Sequence, residues 1–254
     1  MTATVGPTTE AVTADPLTAS GMRREALSAA DRGEMFALLS EHFDGVLPDQ
    51  FERDLDEKHW VLRIRSGSPT SSRLIGFTTL QASTALHEGR TIRVLYSGDT
   101  IMAPEGWGSP VLAKAWIALV HRIQAEHPHD AWYWLLLSSG FRTYRFLPVF
   151  WRDFWPRVDQ DTPVAMHTLL TSLAQHRFGS QFDAQRGIVR FDRPQRLRGA
   201  LADVPQGRAA DPHIQFFLAR NPGHAEGDEL VCLAPISDDN LSAAGMRIVR
   251  SVRR

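Results

Sequence analysis

The chain has 254 residues, 43% of them hydrophobic and 22% charged, with a formal net charge of −1. That composition suits a globular protein with a full core and gives no bulk attraction to nucleic acid or an anionic membrane. A single cysteine, Cys232, excludes an internal disulfide framework, and no apolar run approaches the roughly 20 residues a membrane span needs.

Residues 1–20 are rich in Thr, Ala and Pro and lack a basic start followed by an apolar block. They read as a disordered tail rather than a signal peptide, and a reducing, cytoplasmic setting is the expectation. A short strand is predicted over 22–27. Ser28 is a good N-cap, and Met35, Leu38, Leu39 and Phe43 recur at helical spacing, which predicts a helix over 28–42. A charged second helix follows over 47–57, with Pro48 in its first turn. Strands are predicted over 60–64 and 74–81, and a third over 91–102 (T-I-R-V-L-Y-S-G-D-T-I-M). Three consecutive strands with short connections predict an antiparallel meander.

A tight segment, 103–110 (A-P-E-G-W-G-S-P), leads into a helix over 111–126 with Leu112, Trp116, Leu119, Val120 and Ile123 on one stripe. Strand, glycine turn and helix together aim backbone N–H groups at one spot, which attracts phosphate or pyrophosphate. The apolar run 131–137 (A-W-Y-W-L-L-L) reads as a strand buried on both faces, parallel to the central one through the helical crossover. Residues 141–154 are aromatic-rich and helical, with Pro148 as a kink or break. Beyond them a helix is predicted over 162–177, a short strand over 187–191, a helix over 211–219, a strand over 229–233 and a closing helix over 238–249. Residues 179–210 carry little other pattern; Arg186, Arg190, Arg193, Arg196 and Arg198 read there as a solvated basic stretch, or as a contact for an acidic carrier or a cofactor phosphate.

This order of elements resembles the GNAT superfamily of acyl-CoA N-acyltransferases over about 22–157. The stretches T-I-M-A-P-E-G-W-G-S-P-V-L and Y-W-L-L-L-S-S-G-F-R-T-Y-R-F carry the resemblance. It implies an α/β fold with a GNAT-like mixed, largely antiparallel sheet flanked by helices. The division would be a tail over 1–20, an acyltransferase core over 21–158 and a C-terminal extension over 159–254 that completes the sheet and covers the substrate side. The family's turn has Gln or Arg, two residues, Gly, one residue, then Gly or Ala. Here Gly106-Trp107-Gly108 supplies the glycines, Ala103 stands in place of the Gln or Arg, and Pro110 removes a donor.

The implied cofactor is acyl-CoA, acetyl or longer-chain, with no metal. Gly106, Trp107, Gly108 and Ser109 would hold pyrophosphate, and the backbones of Met102 and Ala103 would bond the pantetheine arm. Ser138 and Ser139 end the buried strand at its carboxyl edge, where they would bond cofactor or substrate or cap the next helix. Tyr144 matches the family's general acid for the departing thiolate; its alternative is packing with Phe141, Phe146 and Phe150. Asp99 lies in Ser97-Gly98-Asp99, poor strand formers that mark a bulge, and its carboxylate offers an amine's proton an exit; its alternative is a solvated or arginine-paired carboxylate.

The aromatic residues over 132–155 would line a pocket for a long acyl chain or fill the core. His127 and His129 make a weak ligand pattern, and neither a nucleophile elbow nor a phosphate-loop motif is present. The expected function is acyl transfer from acyl-CoA, or from an acyl carrier protein, to a small-molecule amine or hydroxyl. The alternative is a non-catalytic ligand-sensing or scaffolding domain. No nucleic-acid partner is expected, and a homodimer is left open.

Overall fold

The computed structural model of the chain describes residues 17–68 and 71–252. β1 (Leu17–Arg23) precedes α1 (Ala29–His42), the two-residue β2 (Phe43–Asp44) and α2 (Pro48–Asp56). The meander follows as β3 (Trp60–Ser68), β4 (Ser71–His87) and β5 (Arg90–Met102), then α3 (Val111–Ala125) and β6 (Trp132–Ser138). Two short helices, α4 (Phe141–Tyr144) and α5 (Phe146–Phe150), lead to α6 (Val164–Phe178). The remainder is β7 (Phe182–Asp183), β8 (Ile188–Val189), β9 (Arg196–Leu197), α7 (Pro212–Arg220), β10 (Glu229–Pro235) and α8 (Ala243–Val252).

Eight strands form one mixed sheet in the order β1-β3-β4-β5-β6-β10-β8-β7. β3, β4 and β5 pair antiparallel, as the meander predicts, and β5 pairs parallel with β6. β10 enters antiparallel beside β6, with Leu230 opposite Ser138 and Cys232 opposite Leu136. Its residues alternate between two cores, as pleating requires. Leu230, Cys232 and Ala234 join the larger cluster with α3 and α5, while Val231 and Leu233 join Leu169, Leu170 and Leu173 of α6. Helix α1 starts as its sequence dictates: Ser28 Oγ accepts from Asp31 N–H while Asp31 answers at Ser28 N–H, a complete capping box.

Several elements differ from the sequence reading. The first strand begins at Leu17, inside the segment read as tail, because its ladder to β3 (Leu17 opposite Ser66, Arg23 opposite Trp60) organises a chain with no strand pattern of its own. Residues 1–16 of that tail lie outside the described residues. The aromatic helix stops at Phe150, and it is broken at Arg145 into α4 and α5, in the turn before Pro148, where the N–H that proline lacks would have bonded the Tyr144 carbonyl. The closing helix starts at Ala243, after a one-turn helix over Asp238–Asn240.

Candidate active site

The central sheet opens beside its middle. β5 and β6 stay in register from Arg93 opposite Trp132 to Ser97 opposite Leu136, and there the ladder stops. On the other side of β5 the pairing slips: Thr79 faces Gly98 and Phe77 faces Ile101, so two residues, Asp99 and Thr100, oppose Thr78 alone. Asp99 takes φ +45, a left-handed conformation that an aspartate tolerates better than most side chains. The bulge turns β5 away from β6, while β6 runs on along β10 to Ser138. The last rung is held by Trp134 Nε1, which donates to Ser97 Oγ at 2.9 Å.

A cavity of about 1130 Å³ lies over this opening, between α2 and α6. Tyr96, Asp99, Glu229 and Ser139 line its sheet side, and Arg53, His176 and Arg193 line its exposed side. On the opposite face of the opening is a slot of about 20 Å³, bordered by Leu112 and Trp116 of α3 and by Trp134. Thr100 and Thr143 border both spaces. The two spaces thus share these threonines, one on either face of the gap.

Asp99 has a buried partner. Lys58 Nζ lies 3.7 Å from Asp99 Oδ2 and donates to the Asp54 carbonyl at 2.7 Å, and Thr79 Oγ1 approaches the same carboxylate at 3.3 Å. Tyr96 is buried under the guanidinium of Arg177, 3.7 Å from its ring centroid, and burial raises its phenol well above the ordinary range. Glu229, at the head of β10, has a side chain with no ion pair or hydrogen bond among the described residues. Burial, then the charge of Asp99, pushes its carboxyl up to about 8.

On the slot side, segment 103–110 folds largely onto itself. Gly106 N–H donates to Ala103 O, Trp107 N–H to Pro104 O and Ser109 N–H to Gly106 O. Ala103 N–H is bonded to Ile75 O, and the Met102 carbonyl accepts from Trp107 Nε1 at 2.9 Å. The backbone bonds that the resemblance assigns to a pantetheine arm at Met102 and Ala103 are thus already made within the protein. Gly108 has φ +84 with open space beside it, and the N-terminus of α3 follows. Arg142 lies 3.9 Å above the Trp107 ring, and burial together with the nearby Arg208 lowers its pKa.

Tyr144 is not brought to either space. It is fully buried, its hydroxyl donates to Pro156 O at 3.0 Å, and Phe154, Phe216 and Phe217 surround its ring. Its neighbour Thr143 borders both instead. Ser138 is buried against Cys232 at 3.9 Å, whereas Ser139 lines the cavity. Sequence reasoning missed Lys58, Tyr96 and Glu229. The legible signal was a glutamate heading an otherwise apolar strand, E-L-V-C-L.

Strand, two helices, three-stranded meander, glycine turn, helix, parallel strand splayed from the meander: this is the order and geometry anticipated from the resemblance. The fold is GNAT-like, a mixed, largely antiparallel sheet flanked by helices. No family profile matches the sequence and no curated protein matches it. Among solved structures, a probable N-acyltransferase from Enterococcus faecalis V583 is similar at 14% identity and TM-score 0.40 over 63% of this chain. The match spans 44% of the length of that protein. Glucosamine-6-phosphate N-acetyltransferase from Arabidopsis thaliana is similar at 13% identity and TM-score 0.36, over 51% of this chain and 88% of its own. The NAA60 protein of Arabidopsis thaliana, solved with a bisubstrate analogue, is similar at 14% identity and TM-score 0.38, over 56% and 87%. Among the described residues no group of three or more His, Cys, Asp or Glu is arranged to hold a metal, and no helix is long and apolar enough to cross a membrane.

Proposed function

We propose that this GNAT-like domain transfers an acyl group from acyl-CoA to an amine acceptor held in the cavity. The observation that carries the reading is the gap between β5 and β6, where Thr100 and Thr143 border both a slot against α3 and a cavity floored by Asp99. An acyl thioester, when bound, supplies the activated carbonyl. The residues around the slot suit such a group. Trp116 borders it and has a buried Nε1 with no acceptor, a donor for an amide. Gly108, the start of α3 and Arg142 offer backbone freedom, a helix N-terminus and a cation to phosphates.

In the cavity the chain manages protons. Asp99, fixed by Lys58 and Thr79, takes the proton that an ammonium must lose before its nitrogen attacks. The amine's lone pair would form the new C–N bond as the C–S bond breaks; the thiolate would take a proton from a nearby acid, and the nitrogen's second proton would restore that acid. Tyr96, kept protonated by burial, is the phenol that lines this cavity and takes the role first assigned to Tyr144. A thioester on an acyl carrier protein would present the same carbonyl.

Thermal denaturation with CoA, acetyl-CoA and a long-chain acyl-CoA tests the proposal, since a ligand that binds only the native state raises the melting temperature. A rise with acyl-CoA, followed by thiol release when amines are added, supports it. The narrow slot and the self-bonded turn favour a second reading, a non-catalytic domain. That reading is the outcome if no thioester, on CoA or on a carrier protein, shifts the transition.

A further inference from the structure

The charges of the cavity are ordered by depth. Asp54, Asp99 and Glu229 line the cavity with Lys58, whose buried ammonium pairs with Asp99. Asp54 and Glu229 are both raised from their ordinary pKa, first by burial and next by the charge of Asp99. Arg177 does not neutralise them, because it is engaged with Glu57 at 3.1 Å, with Gln81, and with the Tyr96 ring. The interior therefore holds more carboxyl groups than cations to pair them, a costly arrangement that a ligand ammonium relieves.

The mouth has the opposite character. The β2–β9 ladder (Phe43 opposite Leu197, Asp44 opposite Arg196) ties the segment before α2 to the one carrying Arg193. The two meet closely: a Cβ added at Gly45 would lie 2.6 Å from the Pro194 carbonyl. Arg53 and Arg193 thus reach the cavity wall from joined segments, with exposed His176 across from them on α6. In the basic stretch, Arg186 pairs with Asp183, Arg190 with Asp228, Arg196 with Glu226 and Arg198 with Asp44. Arg193 has no such partner among the described residues, and neither does Arg53.

We propose that the ligand of this cavity is a primary amine carrying an oxyanion at its far end, with the ammonium at Asp99 and Glu229 and the carboxylate or phosphate at Arg53 and Arg193. The amine's fate as an acyl acceptor rests on the reaction proposed above; its binding does not. A cavity of about 1130 Å³ exceeds the needs of a simple amine and accommodates one of peptide size.

Isothermal titration calorimetry of the full chain tests this with glycylglycine, glycylglycine amide, N-acetylglycylglycine and phosphoethanolamine. The probes carrying both charges should bind at least about tenfold more tightly than the amide or the acetylated peptide. The better of glycylglycine and phosphoethanolamine identifies the oxyanion. Arg53→Ala and Arg193→Ala should each erase the advantage over the amide, and Glu229→Gln should weaken every probe with a free amine. Equal affinity for all four probes, or binding of none, overturns the inference, as does an equal loss for all probes in the arginine variants. Thiol release from acetyl-CoA with the same probes reads the reaction separately. Tight binding without release upholds this inference and removes acyl transfer; release with the amide as efficient as with glycylglycine does the reverse.

Discussion

Tyr144 and Glu229 show how burial alone assigns a residue's work. The Tyr144 hydroxyl is occupied by the Pro156 carbonyl inside an aromatic cluster, so its contribution is to stability. Tyr144→Phe strands that carbonyl, and the expected loss is about 1 kcal/mol, or a drop of about 2–4 °C in melting temperature, with turnover per folded molecule unchanged. A fall in turnover at an unchanged melting temperature would return the phenol to the reaction. Glu229 behaves oppositely, because its carboxyl faces open space among Tyr96, Asp99, Lys58, His176, Arg177 and Arg193. Unfolded, it ionises near 4.5; folded, it keeps its proton to about 8. Between those values the native state binds more protons, so this group lowers stability as pH rises through the window and adds no further change above it. Glu229→Gln, neutral throughout, should gain melting temperature relative to the parent as pH climbs from about 4.5 to about 8. A pH-independent difference would show that the carboxyl titrates normally.

At the scale of elements, the site is made by two departures from regularity that lie close together on one strand and its turn. The bulge at Asp99 and Thr100 splays β5, and the left-handed Gly108 redirects the chain into α3. The two glycines of the turn differ in kind. A side chain at Gly106 would meet Met102 Sδ at 2.3 Å, a packing constraint, whereas Gly108 has open space and is restricted by its φ of +84. Gly108→Val should fold with a penalty of about 1–2 kcal/mol from the left-handed backbone. It should also lose most of the melting-temperature rise produced by acyl-CoA, as measured by denaturation with and without ligand. An unchanged rise would detach this turn from the cofactor.

For the molecule as a whole, the C-terminal third is part of the sheet. β10 lies between β6 and β8, its Leu230, Cys232, Leu233 and Ala234 are fully buried, and α8 packs against α3. A chain ending at residue 158 would expose the apolar edge of β6 and both hydrophobic clusters. It should not fold, giving neither a cooperative thermal transition nor dispersed amide resonances. A stable, soluble fragment would show that residues 17–158 form an independent domain. The extension also places Glu229, Arg193 and α6 around the cavity, so the proposed acceptor chemistry depends on residues outside the stretch that carried the resemblance.

Local pattern was enough to read the meander, the α3 crossover, the buried β6 and the bulge in Ser97-Gly98-Asp99, because periodicity, turn residues and poor strand formers act over a few neighbours. It placed the first strand late, over 22–27, because most of β1 is a strand only through pairing with β3, and it could not find the cavity wall, whose residues come from α2, β5, α6, the segment before β9 and β10. It also placed a phenol at the thioester by position in a motif, where packing turned Tyr144 inward and left Tyr96 at the opening. The sequence by itself determined which segments become strands and helices and that a glycine turn precedes α3. Tertiary structure alone decided which carboxyl groups share a desolvated space and which arginines stay unpaired, since burial and charge pairing depend on distances between residues far apart in the chain.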